Sequence, residues 1–162
     1  MSTANTCNVL LGYAYSVFSG PGGINDQLAA LSLTPALATV GSILKLSASV
    51  DVYEKTCNVR YPAATICCER LKNSQTEKFR MLSGSALLVV EIRVSGAVAE
   101  ELESNLNSYV EAACRVLDAS RGPWSEIGTY TGTYDVKFQS LRPGGKQFVK
   151  SARIEFDIQV SR

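Results

Sequence analysis

Hydrophobic and polar residues alternate without a break over the last residues of the chain. The apolar positions of this segment are Ala152, Ile154, Phe156, Ile158 and Val160, and polar residues occupy the positions between them. A period of two is typical of a β-strand with one buried face, so Phe148–Val160 is predicted to be a strand. Thr129–Leu141 alternates in the same way. The two strands are predicted to form a hairpin, because the loop between them, Arg142–Lys146, contains Pro-Gly-Gly.

Two more strands are predicted in the middle of the chain. Tyr61–Cys68 is apolar throughout and fits a buried strand. Ala86–Val94 alternates, with Glu91 and Arg93 on the face opposite its apolar residues, and is predicted to be a central strand. A polar segment, 69–83, separates the two strands.

Apolar residues recur every three or four positions between residues 98 and 117. They are Val98, Leu102, Leu106, Tyr109, Val110, Ala113, Val116 and Leu117. This spacing predicts an amphipathic helix that ends near Ser120, before Gly122-Pro123. Acidic residues occupy its first turns, where the helix dipole favours negative charge.

The first 50 residues are almost uncharged, because they contain only Asp26 and Lys45. No basic region marks a signal peptide, and residues 27–44 contain too many polar, glycine and proline residues for a transmembrane helix. We expect either a half-buried segment with many turns or an arm that covers a neighbouring subunit.

The periodicity of this N-terminal segment predicts several short elements. Asn8–Phe18 fits either a strand or a short helix, and Ile24–Leu33 is predicted to be a short helix that the following proline ends. Thr34-Pro35 resembles a helix N-cap with proline at the first helical position, which predicts a second helix through about Lys45. A short strand is predicted at Val50–Tyr53.

Together these elements predict an α+β fold, with an antiparallel β-sheet, one long amphipathic helix packed on one face, and short N-terminal helices. The 162 residues fit one domain, with residues 1–50 as the weakly charged segment or arm and 51–162 as a sheet-and-helix module. An apolar content of 46% excludes a chain that is disordered throughout. The net charge of +1 provides no general attraction to nucleic acid or anionic membranes.

Charged residues are concentrated in local patches. The basic residues of the polar segment are Arg70, Lys72, Lys78 and Arg80, with Phe79 between the last two. Residues 142–150, which include the later loop, contain Arg142, Lys146 and Lys150 and no acidic residue. The start of the helix contains Glu100, Glu101 and Glu103. One interpretation is ordinary surface charge. The other is a set of interface residues, in which basic loops of one copy contact the acidic helix of the next copy or face DNA.

Residues that commonly carry catalysis or bind metals are sparse. The chain has no histidine, and its five cysteines show no CxxC spacing, so zinc-finger and Cys-His nucleophile patterns are both missing. We interpret the cysteines as small, reduced hydrophobic residues of a protein assembled inside a cell. Gly20–Gly23 lacks the Lys-Ser/Thr of a P-loop and is interpreted as a turn. No catalytic residue, metal site or cofactor is predicted.

The order and character of the segments over residues 61–160 resemble bacteriophage tail terminator proteins, also called tail completion proteins. The resemblance is carried by YPAATICCER, the polar loop with EKFR, ALLVVEIRVSG, the helix AEELESNLNSYVEAACRVL, Trp124 after a Gly-Pro turn, and YDVKFQSLRPGGKQFVKSARIEFDIQV. The first 60 residues carry much less of it, because such proteins usually begin with a helix and this chain begins with a long, almost uncharged segment.

The resemblance implies a structural virion protein with no enzymatic activity, no cofactor and no membrane association. Its implied partners are further copies of itself in a ring, generally a hexamer, together with the tail tube protein and the head connector or stopper protein. Genome DNA would pass through the lumen of the ring without sequence-specific binding. The implied location is the neck of the virion, after assembly in the cytoplasm of a bacterial host. In such a ring, we expect the polar face of the last strand to contact the next subunit.

Two alternatives remain beside this interpretation. A head-completion or stopper protein of the phage neck would share the ring geometry and contact different neighbours. A small-molecule-binding or enzymatic α+β domain belongs to a different class, since folds of this kind host many functions. That alternative requires a pocket with converging polar groups, and the sequence identifies none.

Overall fold

Three helices and seven strands form the described part of the chain, which the computed structural model gives as residues 3–46, 60–74, 82–144 and 146–161. The helices are α1 (Thr3–Ser19), α2 (Ile24–Ala30) and α3 (Ala99–Ala119). The strands are β1 (Ser42–Leu44), β2 (Ala63–Asn73), β3 (Ser83–Gly96), β4 (Gly122–Trp124), β5 (Gly128–Phe138), β6 (Arg142–Gly144) and β7 (Gln147–Ser161). The fold is α+β, as predicted, whereas the strand predicted at Val50–Tyr53 lies outside the described residues.

The strands form one curled, mixed sheet in the order β1-β2-β3-β7-β5-β4, with β6 paired to the start of β7. At its centre β3 and β7 pair in antiparallel register from Ser83 opposite Ser161 to Gly96 opposite Phe148. The prediction of a purely antiparallel sheet was wrong, because β1 runs parallel to β2. A parallel pair requires a long crossover, and the segment 45–62 that joins these two strands is long enough for one.

Helix α3 covers one face of the sheet, as its periodicity predicts. Its buried residues are Leu102, Leu106, Tyr109, Val110, Ala112, Ala113, Val116 and Leu117. They share a core with the alternating apolar residues of the central strands, including Leu88, Ile92, Ile154 and Ile158, which are fully buried. Burial of this apolar stripe, rather than capping, holds the helix, since Val98 at its N-cap makes no side-chain capping bond.

Residues Asn8–Phe18, for which the sequence allows a strand or a short helix, belong to helix α1. Thr6, Leu10, Ala14 and Phe18 are spaced by four residues and are almost fully buried, so they align on one helical face. The three apolar residues of this face belong to the core of their own chain. The interpretation of this segment as an arm concerns neighbouring copies and stays a prediction.

The glycine-rich segment after α1 is a tight turn, as predicted. Gly22 has a φ of +73°, and its N–H donates to Asp26 Oδ2 at 2.6 Å. A Cβ on Gly23 would lie 2.4 Å from the carbonyl oxygen of Phe18. The backbone conformation and the close approach explain why glycine occupies these positions.

The second helix predicted through Lys45 was wrong, because residues 32–41 form neither helix nor strand and residues 42–44 form β1. Backbone N–H and C=O groups of this segment form hydrogen bonds with side chains and with the carbonyl just before β2, instead of with one another as in a helix. Val40 N–H donates to Asn25 Oδ1 at 2.7 Å, the Tyr109 hydroxyl donates to Ala38 O at 2.6 Å, and Gly41 N–H donates to the carbonyl of Pro62 at 2.8 Å. Contacts with partners distant in sequence therefore override the local resemblance to an N-cap.

The polar segment 69–83 contains more strand than its composition predicts. Strand β2 continues to Asn73 and pairs with β3 up to Gly84, after a register shift between Cys68 and Arg70. β3 supplies the hydrogen-bonding edge for these residues, so strand structure persists although their side chains are mostly exposed. The strand prediction for Ala86–Val94 is confirmed and is extended by β3 to Ser83–Gly96.

An aromatic cluster closes the end of the core where α3 leads into β4. Trp124 is fully buried and lies between Tyr13 of α1, Tyr130 of β5 and Phe156 of β7, with ring centroids 5.2–5.6 Å apart. Its indole N–H donates to the carbonyl of Ser120 at 2.7 Å. The single tryptophan therefore connects α1, α3 and two strands.

Candidate interaction surfaces

The face of the sheet opposite α3 carries a network of charged side chains. Arg153 and Glu155 alternate with the buried residues of β7 and so project from this face, which lies opposite α3 and is called the open face, although Val89 and Arg93 on it are buried. Arg153 donates to Glu155 at 3.0 Å and also to Glu69 of β2, and Lys137 of β5 donates to Glu155 at 2.7 Å. The network joins strands that are far apart in the sequence.

The network changes the pKa values of its members in the directions that ion pairing requires. Hydrogen bonds and charge from Lys137 and Arg153 lower the pKa of Glu155 below its ordinary value of 4.5. The hydrogen bond to Glu155 raises the pKa of Lys137, and the hydrogen bond to Glu69 raises that of Arg153. Lys137, Arg153 and Glu155 therefore stay charged at neutral pH. The expectation that this face contacts the next subunit stays a prediction.

A cleft opens on the same face where β5 departs from regular pairing. The register with β7 shifts between Tyr130 and Tyr134, and Gly132 in this bulge has a φ of +96°. The cleft has a volume of about 400 Å³. Its lining residues are Arg70, Leu87, Thr133, Tyr134, Asp135, Glu155, Phe156 and Asp157. A bulge leaves residues of one strand unpaired and bends that strand, and the cleft lies beside this irregularity.

Both sides of the sheet present strand edges that are only partly paired within the described residues. On one side, β4 covers β5 only at Gly128–Tyr130, which leaves 131–138 without an outer neighbour. On the other side, β1 covers β2 only at Ala63–Thr65, which leaves 66–73 without an outer strand. Such edges carry backbone groups that can pair with another chain.

The basic residues predicted on the polar segment lie partly within the described structure. Arg70 and Lys72 are exposed near the C-terminal end of β2. Lys78, Phe79 and Arg80 lie outside the described residues. Arg70 and Lys72 pair with Leu87 and Ser85, so they occupy the end of the sheet where β3 begins.

The other predicted site residues lie together at the opposite end of the sheet. The residues of this group are Glu100, Glu101 and Glu103 at the start of α3, Arg142 in β6, and Lys146 beside β7. They are close because Gly96, which precedes α3, pairs with Phe148 of β7. All five are exposed, and Glu103 forms an ion pair with Lys150 of the same chain. Part of the basic loop therefore contacts the acidic helix within one molecule.

Exposed apolar residues at this same end were not identified from the sequence. Phe138 is 50% exposed, Phe148 is 43% exposed and Leu141 is 37% exposed. The alternation of β5 places Phe138 in line with the half-buried Tyr134 and Val136, but Phe138 lies near the end of the sheet. Its position relative to the helical layer, rather than its periodicity, decides its exposure.

The structure also brings together two cysteines that no sequence pattern predicts to be close. Cys7 of α1 and Cys68 of β2 have their Sγ atoms 3.2 Å apart. Both thiols are half-buried and free. Burial, with contributions from the Cys7 thiol, raises the pKa of Cys68 to about 12.

The described residues contain no group of three or more His, Cys, Asp or Glu side chains placed to hold a metal ion. In the same part of the chain, no helix has both the length and the apolar character needed to cross a bilayer. No protein-family model and no curated protein matches the sequence. The partly paired edges and the exposed patches are therefore the features from which a function can be argued.

Proposed function

We propose that this chain is a structural protein of a tailed bacteriophage virion that forms a ring at the neck. The ring caps the tail tube, ends tube polymerisation and provides the joint to the head connector. The proposal rests on the resemblance of residues 61–160 to tail terminator proteins. The observation that carries it in the structure is the pair of unlike, partly open strand edges on the two sides of one sheet.

Two unlike edges favour a ring over a two-fold dimer. A contact between the β5 edge of one copy and the β2 edge of the next is heterologous, and repeated heterologous contacts close into a ring when the rotation allows it. Ring closure pairs every edge and leaves none for uncontrolled association. Arg70 and Lys72 beside the second edge provide positive charge for such a contact.

The distribution of charge along the sheet is compatible with the same arrangement. The acidic start of α3 and the basic residues Arg70 and Lys72 lie at opposite ends of β3, whose 14 residues extend over about 45 Å. Patches that are separated in this way do not pair with each other within one copy. A net charge of +1 fits a lumen through which DNA passes without being held.

The ring contact is tested with variants at each edge. Lys72→Glu reverses a charge beside the β2 edge, and Thr133→Pro places proline on β5 at a position without a register partner on β7. Each variant is expected to reduce the number of rings in negative-stain images at least tenfold, with an unchanged circular dichroism spectrum. Arg115→Glu, on the exposed side of α3, is the control and should form rings like the wild type.

Rings that persist in both edge variants would contradict the proposed contact.

The sequence makes a parallel prediction for Lys78→Glu combined with Arg80→Glu, which should weaken assembly while each monomer stays folded. In the presence of polymerising tube protein, the wild type should shorten the tubes and be found at one of their ends. Tubes of unchanged length with no ring at either end would contradict the terminator function itself.

A further inference from the structure

Two thiols from different layers of the fold meet at one point between α1 and β2. Cys7 lies in the first half of α1, and Cys68 lies at the register shift in β2. Their Sγ atoms are 3.2 Å apart, whereas a disulfide bond is about 2.05 Å long. A movement of roughly 1 Å therefore brings the two sulfurs to bonding distance.

We propose that Cys7 and Cys68 form an intramolecular disulfide on exposure to a low-molecular-weight disulfide such as oxidised glutathione. The bond fastens α1 covalently to the sheet. This inference goes beyond the proposed function and does not depend on it, because it rests only on the contact between the two thiols.

The reaction is a pair of thiol–disulfide exchanges. The thiolate of one cysteine attacks a sulfur of oxidised glutathione, forms a mixed disulfide and releases one glutathione thiolate. The second cysteine attacks the protein sulfur of the mixed disulfide, forms the Cys7–Cys68 bond and releases the second glutathione thiolate. The two thiol protons end on the two glutathione molecules, so two protein thiols are oxidised while one glutathione disulfide is reduced.

The geometry of β2 selects Cys68 over its neighbour Cys67. Successive side chains of a strand project to opposite faces. Cys68 pairs with Leu88 and packs against the core on the side of the helices, whereas Cys67 pairs with Val89 on the open face. Cys67 therefore lies on the wrong side of the sheet to reach Cys7 while β2 keeps its register.

The position of the bond predicts a measurable stabilisation. Cys7 and Cys68 are separated by 61 residues in sequence, and joining distant residues removes much conformational freedom from the unfolded chain. The melting temperature is expected to rise by roughly 10 °C on oxidation and to return on reduction. The high pKa of Cys68 keeps its thiolate scarce at neutral pH, so the bond should form faster at pH 9 than at pH 7.

Peptide mapping of the full chain tests the assignment. The protein is incubated with oxidised glutathione, its remaining thiols are alkylated, and tryptic peptides are analysed by mass spectrometry without reduction. The expected product links the peptide that ends at Lys45, which contains Cys7, to Tyr61–Arg70, with fragmentation placing the bond at Cys68. The Cys67→Ser variant should retain this link, and the peptide containing Cys114 should remain alkylated.

The mapping does not require a variant that removes either proposed partner, so a folding defect cannot obscure it. Alkylation of all thiols after oxidation would overturn the proposal. A predominant link through Cys57, Cys67 or Cys114 would overturn it equally. A Cys7–Cys68 link that leaves the melting temperature unchanged would contradict the proposed fastening of α1 to the sheet.

Discussion

At the scale of single residues, Tyr109 attaches the irregular segment before β1 to the rest of the fold. Its ring is almost fully buried on α3, and its hydroxyl donates to the carbonyl of Ala38 at 2.6 Å. Burial raises the pKa of Tyr109 from 10.0 to about 12. One hydrogen bond thus connects the helical layer to a segment whose local sequence favours a helix.

Replacing Tyr109 with phenylalanine tests this attachment. The change keeps the ring and removes the donor, so the free energy of unfolding at pH 7 should fall by about 1 kcal/mol in urea denaturation. Phenylalanine substitution at Tyr15, which is 36% exposed on α1, is the matched control and should change stability by much less.

The pH dependence of the same variant has a defined sign. Because the pKa of Tyr109 is higher in the folded state, its contribution is fully present below pH 10 and is lost as the pH rises from 10 towards 12. The stability difference between wild type and Tyr109→Phe should therefore shrink over this interval. A difference that stays constant from pH 8 to pH 11 would contradict the assigned role of the hydroxyl.

At the scale of elements, the charged network on the open face ties together strands that the chain order separates. Glu155 is its centre, because it accepts from Arg153 on its own strand and from Lys137 on β5. Arg153 extends the network to Glu69 on β2. The side chain of Glu155 is only 18% exposed, so its interactions are screened less than those of a fully exposed pair.

Removing the charge of Glu155 tests the contribution of the network. Glu155→Gln is expected to lower the free energy of unfolding by roughly 1 kcal/mol at pH 7. Because the folded-state pKa of Glu155 is depressed, its contribution is present above about pH 4.5 and is lost as the pH falls through the folded value. The stability curves of wild type and variant should converge in acid, once Glu155 is protonated in the folded state, whereas Glu126→Gln in the β4–β5 turn is the control and should stay as stable as the wild type at pH 7.

Elements with a long, regular period were predictable from the sequence. α3, β3 and β7 each bury one continuous apolar face, so local periodicity and tertiary packing agree there. The segment before β1 was mispredicted, because hydrogen bonds to Asn25 and Tyr109 decide its conformation. The extension of β2 to Asn73 was missed because pairing with β3 stabilises it, and the polar composition of these residues does not predict a strand.

The sequence identified charged residues of the candidate surfaces, but it did not predict which residues pair with each other. Arg153 binds Glu69 across 84 positions of sequence, and Cys7 meets Cys68 across 61. No local sequence pattern predicts contacts between residues so far apart in the chain, because these contacts depend on the order of the strands in the sheet. The sequence also could not show that Lys150 pairs with Glu103 in the same chain, since that contact depends on where β7 begins beside α3.

At the scale of the whole molecule, the sheet provides the surfaces from which association into a ring is proposed. Within the described residues, its two partly paired edges belong to different strands, β5 and β2, and lie on opposite sides. The basic residues Arg70 and Lys72 and the acidic start of α3 lie at opposite ends. A subunit whose complementary surfaces face in different directions favours head-to-tail association, of which a closed ring is the finite form.

The mass of the purified protein in solution tests the ring proposal. It is determined by light scattering on a size-exclusion column over a range of concentrations. The ring proposal predicts a species with six times the 17.4 kDa of one chain, seen as closed rings in negative-stain images of the same fraction. A mass of 17.4 kDa at every concentration, in the presence of tube protein as well as in its absence, would contradict it.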